Sequence, residues 1–177
     1  MPDLLAHYAI SYLIASRVEK PRRAMALALI GLLPDLDVLL RIHRWVTHSL
    51  VLTVLVASVA ATAALRVAPH SLERIALGSG LYAVHLLLDL FTAPTPILWP
   101  LSSEAYMVEV GLDGVVSASG IDLIPRVTVI SEAADFSPQL AIEGPLVSTI
   151  GIMIASGVAA MALAERLAER RASAHRD

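Results

Sequence analysis

The chain has 177 residues, a net charge of −3 and a mean hydropathy of +0.71. Apolar residues make up 56% of it and charged residues 16%, against about 45–50% and about 25% in soluble domains. This composition excludes a disordered chain and a basic nucleic-acid-binding module, and it favours a membrane protein. Because the sequence contains no cysteine, any metal must be bound by His, Asp or Glu.

Five apolar stretches predict five helices, near residues 3–18, 23–40, 47–65, 73–90 and 144–164. Thr47–Leu65 and Gly144–Ala164 contain no Asp, Glu, Lys or Arg and have the roughly 20 residues that cross a bilayer. We therefore predict an all-α integral membrane bundle of about five helices, formed as a single domain by residues 1–177. The alternative is a soluble all-α bundle with a strongly apolar core.

Basic residues predict the orientation of these helices. They collect in the first and third connections and in the C-terminal tail, at Arg17, Lys20, Arg22, Arg23, Arg66, Arg74, Arg166, Arg170, Arg171 and Arg176. The positive-inside rule places these segments on the cytoplasmic side of the membrane. The N-terminus is then expected outside and the C-terminus inside.

Residues 97–143 differ from the predicted helices and are expected to form an extracytoplasmic cap inserted before the last helix. Alternation in Tyr106–Val110 and β-branched residues in Val127–Ile130 predict short β-strands. The pair Asp113-Gly114 predicts a turn between them.

The last predicted helix carries a ridge of small residues, Gly151, Ala155 and Ala159, spaced by four. Such a ridge lets a second helix approach closely, so it predicts helix–helix self-association.

Ionisable residues fall near the predicted outer ends of four helices. Those that can bind a metal are His7, Asp35, Asp37, His48, His85 and Asp89. Ionisable groups in membrane segments are costly, which makes them candidates for a functional site. The spacing of four between His85 and Asp89 puts both side chains on one helix face. Pro34 interrupts the second helix and would let its two carboxylates converge.

His43 and Arg44 lie in the short outer connection between the second and third helices. His43 is expected to contact the ligands or a substrate. Arg44 is positioned by sequence to bind a phosphate oxygen with its planar guanidinium.

In this order, His7, Pro34-Asp35-x-Asp37, His43-Arg44-x-x-Thr47-His48-Ser49, His85-x-x-x-Asp89 and Trp99-Pro100 resemble the YdjM-type family. That family comprises membrane-bound proteins that are predicted to be metal-dependent hydrolases, some described as LexA-binding and inner-membrane-associated. The resemblance extends over about residues 1–102, and it connects distantly to the zinc phospholipase C and single-strand nuclease superfamily.

The resemblance implies phosphoester hydrolysis with one or two divalent ions, zinc first and manganese or iron as alternatives. It implies metal ligation by His7, Asp35, Asp37, His48, His85 and Asp89. Catalytic roles are expected for Asp35, Asp37, His43 and Arg44. A site at the outer membrane interface suggests a lipid or lipid-linked phosphoester as substrate, and no nucleic acid. The alternative from another class is a non-catalytic membrane protein with a structural or sensory metal cluster.

Overall fold

The computed structural model describes residues 3–42, 44–118, 120–140 and 146–174. The chain divides into two compact units, one formed by Met1–Leu32 with Glu143–Asp177 and the other by Leu33–Ile142. The boundary between them falls inside the predicted second helix.

The first unit is helical. Its elements are α1 (Leu4–Ala15), α2 (Pro21–Ala28), a 3₁₀ helix (Leu29–Leu32) and α5 (Thr149–Ala174). α2 has proline at its first position, where the missing amide hydrogen costs no helical hydrogen bond. α1 packs against both α2 and α5.

One carboxylate caps two helices in this unit. Asp3 accepts hydrogen bonds from two amides in the first turn of α1, at 2.8 and 3.2 Å. It also accepts one from the amide of Ser148, directly before α5. Beyond the other end of α1, Arg17 forms an ion pair with Glu165. α1 and α5 therefore run parallel.

The small-residue ridge is only partly available in this unit. Gly151 is buried, and a Cβ there would collide with the Asp3 side chain. Ala155 is half-buried and Ala159 is exposed. Self-association through the ridge stays a prediction.

The second unit contains two longer helices, α3 (Leu50–Val67) and α4 (Leu72–Asp89), and three 3₁₀ helices, Pro34–Leu40, Val46–His48 and Pro69–Ser71. The prediction of one helix over 23–40 is wrong, since that region forms α2 and two 3₁₀ helices. Gly31 and Pro34 account for the interruption, because glycine is a poor helix former and proline removes a helical hydrogen bond. The predicted third helix also begins later, with Ser49 as its N-cap and His48 outside it.

Two helices of the described residues are long and apolar enough to cross a membrane, Leu50–Val67 and Thr149–Ala172. α1 has 12 residues, or about 18 Å of helix, against the roughly 30 Å of a hydrocarbon core. The five crossings and their orientation stay a prediction.

The two β-strands, which lie within the predicted cap of residues 97–143, form a single long hairpin. β1 (Glu104–Ser117) pairs antiparallel with β2 (Gly120–Ala133), and each strand has 14 residues. The prediction of short strands separated by a turn at Asp113-Gly114 is wrong. Both residues lie inside β1, because the β-branched and aliphatic residues on either side continue the pairing as far as Ser117.

The base of the hairpin is attached to the helices of its own unit. Thr95 pairs with Tyr106 through two backbone hydrogen bonds, and the amide of Val108 donates to the carbonyl of Leu90, just after α4. Two residues beyond Thr95, the carbonyl of Ile97 accepts from the amide of Leu50 at 2.9 Å. The hairpin base therefore lies beside the start of α3 and the end of α4.

Candidate metal centre

Four buried side chains converge in the second unit: Asp35, His48, His85 and Asp89. One ligand atom from each lies within 4.8 Å of the other three. Nε2 of His48 is 3.8 Å from Oδ1 of Asp35 and 3.3 Å from Oδ2 of Asp89. Nε2 of His85 is 3.6 and 3.8 Å from the same two oxygens. Both imidazoles thus direct the same nitrogen toward the same two carboxylates.

These separations fit a small divalent ion. With bonds of about 2.0–2.1 Å, a tetrahedral ion holds neighbouring ligand atoms about 3.3–3.4 Å apart. The four N···O distances, 3.3 to 3.8 Å, lie at or slightly above that value. Imidazole and carboxylate are ligands that zinc, manganese and iron accept. The residues present therefore fit a metal.

Local structure explains how the ligands meet. His85 and Asp89 lie one turn apart in the last part of α4, both fully buried. Asp35 lies on the 3₁₀ helix that begins at Pro34 and has three residues per turn. His48 ends the next 3₁₀ helix, just before the cap of α3.

Asp37 lies beside the four clustered side chains and contacts the ring of His48. Its Oδ2 is 3.0 Å from Nδ1 of His48, the nitrogen opposite Nε2. The same oxygen accepts hydrogen bonds of 2.9 Å from the amide of Trp45 and from Oγ1 of Thr47. A carboxylate in this position fixes the tautomer and the plane of a metal-binding imidazole.

Arg44 contacts the cluster at Asp89. Its Nε donates to Oδ2 of Asp89 at 3.1 Å, and a terminal nitrogen lies 3.4 Å from Oγ1 of Thr92. The guanidinium is 11% exposed, whereas Asp89 is fully buried. Arg44 and Arg41 both adopt a φ of 58°, a left-handed conformation that is uncommon in residues other than glycine.

The electrostatics of the cluster favour a cation. Three carboxylates and one guanidinium give these groups a net charge of −2 when the imidazoles are neutral. Burial alone would lower the pKa of His48, but its hydrogen bonds to Asp37 and Asp89 and their negative charges hold that pKa above the usual value. An uncompensated buried charge is costly, so a divalent ion would balance the cluster.

The structure brings together four of the six ligands expected from the sequence and places Asp37 beside them. His7 is buried on α1, in the other compact unit. His43, expected to have a catalytic role, lies outside the described residues. The roles of His7, His43 and Arg44 stay predictions.

Sequence reasoning missed two supporting side chains. Tyr82 on α4 donates its hydroxyl to the carbonyl of Thr47 at 2.6 Å, holding the His48 turn against α4. Thr92 contacts the guanidinium of Arg44. Tyr82 precedes His85 by three residues and so lies on the same helix face, which is the pattern that could have identified it.

A family model described as YdjM inner membrane protein matches residues 4–165. The match extends beyond residue 102, through the hairpin and into α5. Comparisons with curated proteins and with solved structures give no match.

Proposed function

Since this chain belongs to the YdjM inner membrane protein family, we propose that it is a membrane-bound, metal-dependent phosphoester hydrolase. The observation that carries the proposal is the convergence of two imidazole nitrogens and two carboxylates on one buried point. Carboxylate and imidazole ligands without thiolates are typical of catalytic zinc sites, whereas structural zinc sites are rich in cysteine.

Each residue of the cluster has a proposed task. Asp35, His48, His85 and Asp89 bind the ion, and Asp37 orients the ring of His48 through Nδ1. When bound, a divalent ion supplies Lewis acidity, lowering the pKa of water and polarising a phosphoryl oxygen. We propose zinc, one or two ions per chain.

Arg44 is proposed to bind the phosphate. Its Nε already donates to Asp89, so the guanidinium is fixed in direction, and one terminal nitrogen contacts the exposed Thr92. A planar fork in that position can donate two hydrogen bonds to one phosphate, which a lysine ammonium cannot reproduce.

A lipid phosphoester is the substrate class best supported by position. His48 lies two residues before Leu50, where the candidate membrane span α3 begins. Helix ends of spans lie at the level of the lipid headgroups. Placing this interface on the extracytoplasmic side, with the N-terminus outside, is part of the proposal and depends on the arginine distribution.

The experiment loads purified protein with zinc or manganese and measures cleavage of lipid and soluble phosphomonoesters and phosphodiesters. Arg44→Lys should keep its metal and lose about 30- to 1000-fold in turnover, because a contact to the transition state is worth about 2–4 kcal/mol. Arg41→Lys is the matched control, since Arg41 shares the φ of 58° and is exposed. If the wild type cleaves no phosphoester, hydrolysis is excluded; if Arg44→Lys equals wild type, Arg44 does not bind the phosphate.

A structural or sensory metal centre is the second candidate, and one observation favours it. Four protein ligands complete a tetrahedral ion, and three of them are fully buried. Cobalt substitution separates the candidates, because the visible spectrum of a closed site should not change when inorganic phosphate is added. A spectrum that changes with phosphate indicates an open position and supports the hydrolase.

A further inference from the structure

The hairpin is strongly amphipathic. Residues that face each other across an antiparallel pair share a face, and the face alternates along each strand. One face carries only apolar residues and glycine over five successive pairs, Val108–Val129, Val110–Val127, Leu112–Pro125, Gly114–Leu123 and Val116–Ile121. The opposite face carries the charged and polar side chains of the hairpin among fewer apolar ones, and it includes the ion pair between Arg126 and Asp113; its residues are Met107, Glu109, Gly111, Asp113, Val115, Asp122, Ile124, Arg126, Thr128 and Ile130. We call the first the apolar face and the second the polar face.

The apolar face is open except at Val108, which is half-buried. Val110, Leu112 and Val127 are 66%, 65% and 68% exposed, and Val116 and Ile121 near the turn are 80% and 70% exposed. Nine residues of strand cover about 30 Å, so the face presents about 300 Å². The largest apolar patch of a typical soluble monomer covers about 300–600 Å² and often serves as an interaction surface.

The base of the hairpin lies where a membrane surface is expected. The carbonyl of Ile97 accepts from the amide of Leu50, the first residue of the candidate span α3. Ile97 is two residues from Thr95, which pairs with Tyr106 in β1. The ring of Trp99 contacts Phe136 edge to face at 6.4 Å, and such aromatic residues are enriched at membrane–water interfaces.

We propose that the hairpin lies on the lipid surface with its apolar face in the headgroup and upper acyl region. A second copy of the chain fits less well, because the hairpin base lies beside the start of a candidate membrane span, where lipid is the expected neighbour. A bilayer requires no matching partner surface. The hairpin does not cross the hydrocarbon, since in the described residues the sheet has two strands, and beyond Val108 the outward-facing backbone groups of both strands need water or headgroups.

The cysteine-free sequence allows a direct test with single cysteines carrying an environment-sensitive fluorophore. Val127→Cys and Thr128→Cys are neighbours on opposite faces, and Leu123→Cys and Asp122→Cys repeat the comparison nearer the turn. The full-length variants are reconstituted in phosphatidylcholine vesicles, with or without bromine on the upper acyl chains.

Fluorophores at Val127 and Leu123 should emit at shorter wavelength and lose most of their intensity in brominated vesicles. Those at Thr128 and Asp122 should emit as in water and keep their intensity. Water-like emission at all four positions overturns the proposal. Shorter-wavelength emission at Val127 and Leu123 without quenching by bromine also overturns it, because the face would then be covered by protein.

Discussion

The arrangement behind His48 predicts a measurable effect of Asp37→Asn on metal binding. Oδ2 of Asp37 faces three donors at 2.9–3.0 Å, and an asparagine in the same place loses the negative charge that orients the imidazole. Losing such a carboxylate beside a metal-binding histidine typically costs 10- to 100-fold in affinity, which is about 1.4–2.7 kcal/mol. Asp35→Asn removes a proposed ligand and should cost more.

The assay is competition for zinc between purified protein and a chromophoric chelator. Asp113→Asn serves as the control, because this carboxylate is 52% exposed and pairs with another exposed group, Arg126. Asp113→Asn should bind zinc as the wild type does. Wild-type affinity in Asp37→Asn would refute a role for the contact to Nδ1. A loss as large as that of Asp35→Asn would show that Asp37 itself binds the ion.

Three further predictions concern the helices and their orientation. Gly151→Ala should lower the free energy of unfolding by about 1–3 kcal/mol, because the added methyl group collides with Asp3. The control Gly157→Ala, with no atom within 4 Å of its new Cβ, should not destabilise the protein, and equal melting temperatures of the two variants in detergent would contradict this. Ser49→Ala should lower the free energy of unfolding by about 0.5–2 kcal/mol, since the hydroxyl caps α3 and donates to the carbonyl of Trp99. The control Ser58→Ala changes an exposed residue and should melt like the wild type; if Ser49→Ala also melts like the wild type, the reasoning fails. A reporter fused after Asp177 should be cytoplasmic and one inserted at the hairpin turn extracytoplasmic, and the reverse result would overturn the orientation drawn from the arginines.

Much of the candidate metal centre could be predicted, because its residues are close together in the sequence. The spacing of His85 and Asp89 determines their common face on any helix, and Pro34 marks the place where a regular helix must be interrupted. The family resemblance read from these motifs is confirmed by the model match over residues 4–165. The position of Asp37 beside the cluster was not predictable, because it depends on the three-residue turn of a 3₁₀ helix.

The strand segment shows the opposite case. Asp113-Gly114 is a strong local turn pattern, yet the pairing continues through it, since Asp113 lies opposite Ile124 and Gly114 opposite Leu123. The register of a hairpin is determined by the summed interaction energy of its cross-strand side-chain pairs, and a single dipeptide contributes little to that sum. The end of a long hairpin therefore cannot be located from its turn residues alone.

The cap shared by α1 and α5 has a consequence for the timing of assembly. Asp3 leaves the ribosome before Ser148, whose amide donates to its carboxylate, and the two residues are 145 positions apart in the chain. At about 5–20 residues per second, α1 waits about 7–30 s for this contact. The ion pair between Arg17 and Glu165 must wait still longer, because it joins residues 148 apart. α1 can therefore pack against α2 early but completes its native contacts only once α5 is made, and a ribosome that stalls before α5 leaves α1 without its parallel neighbour.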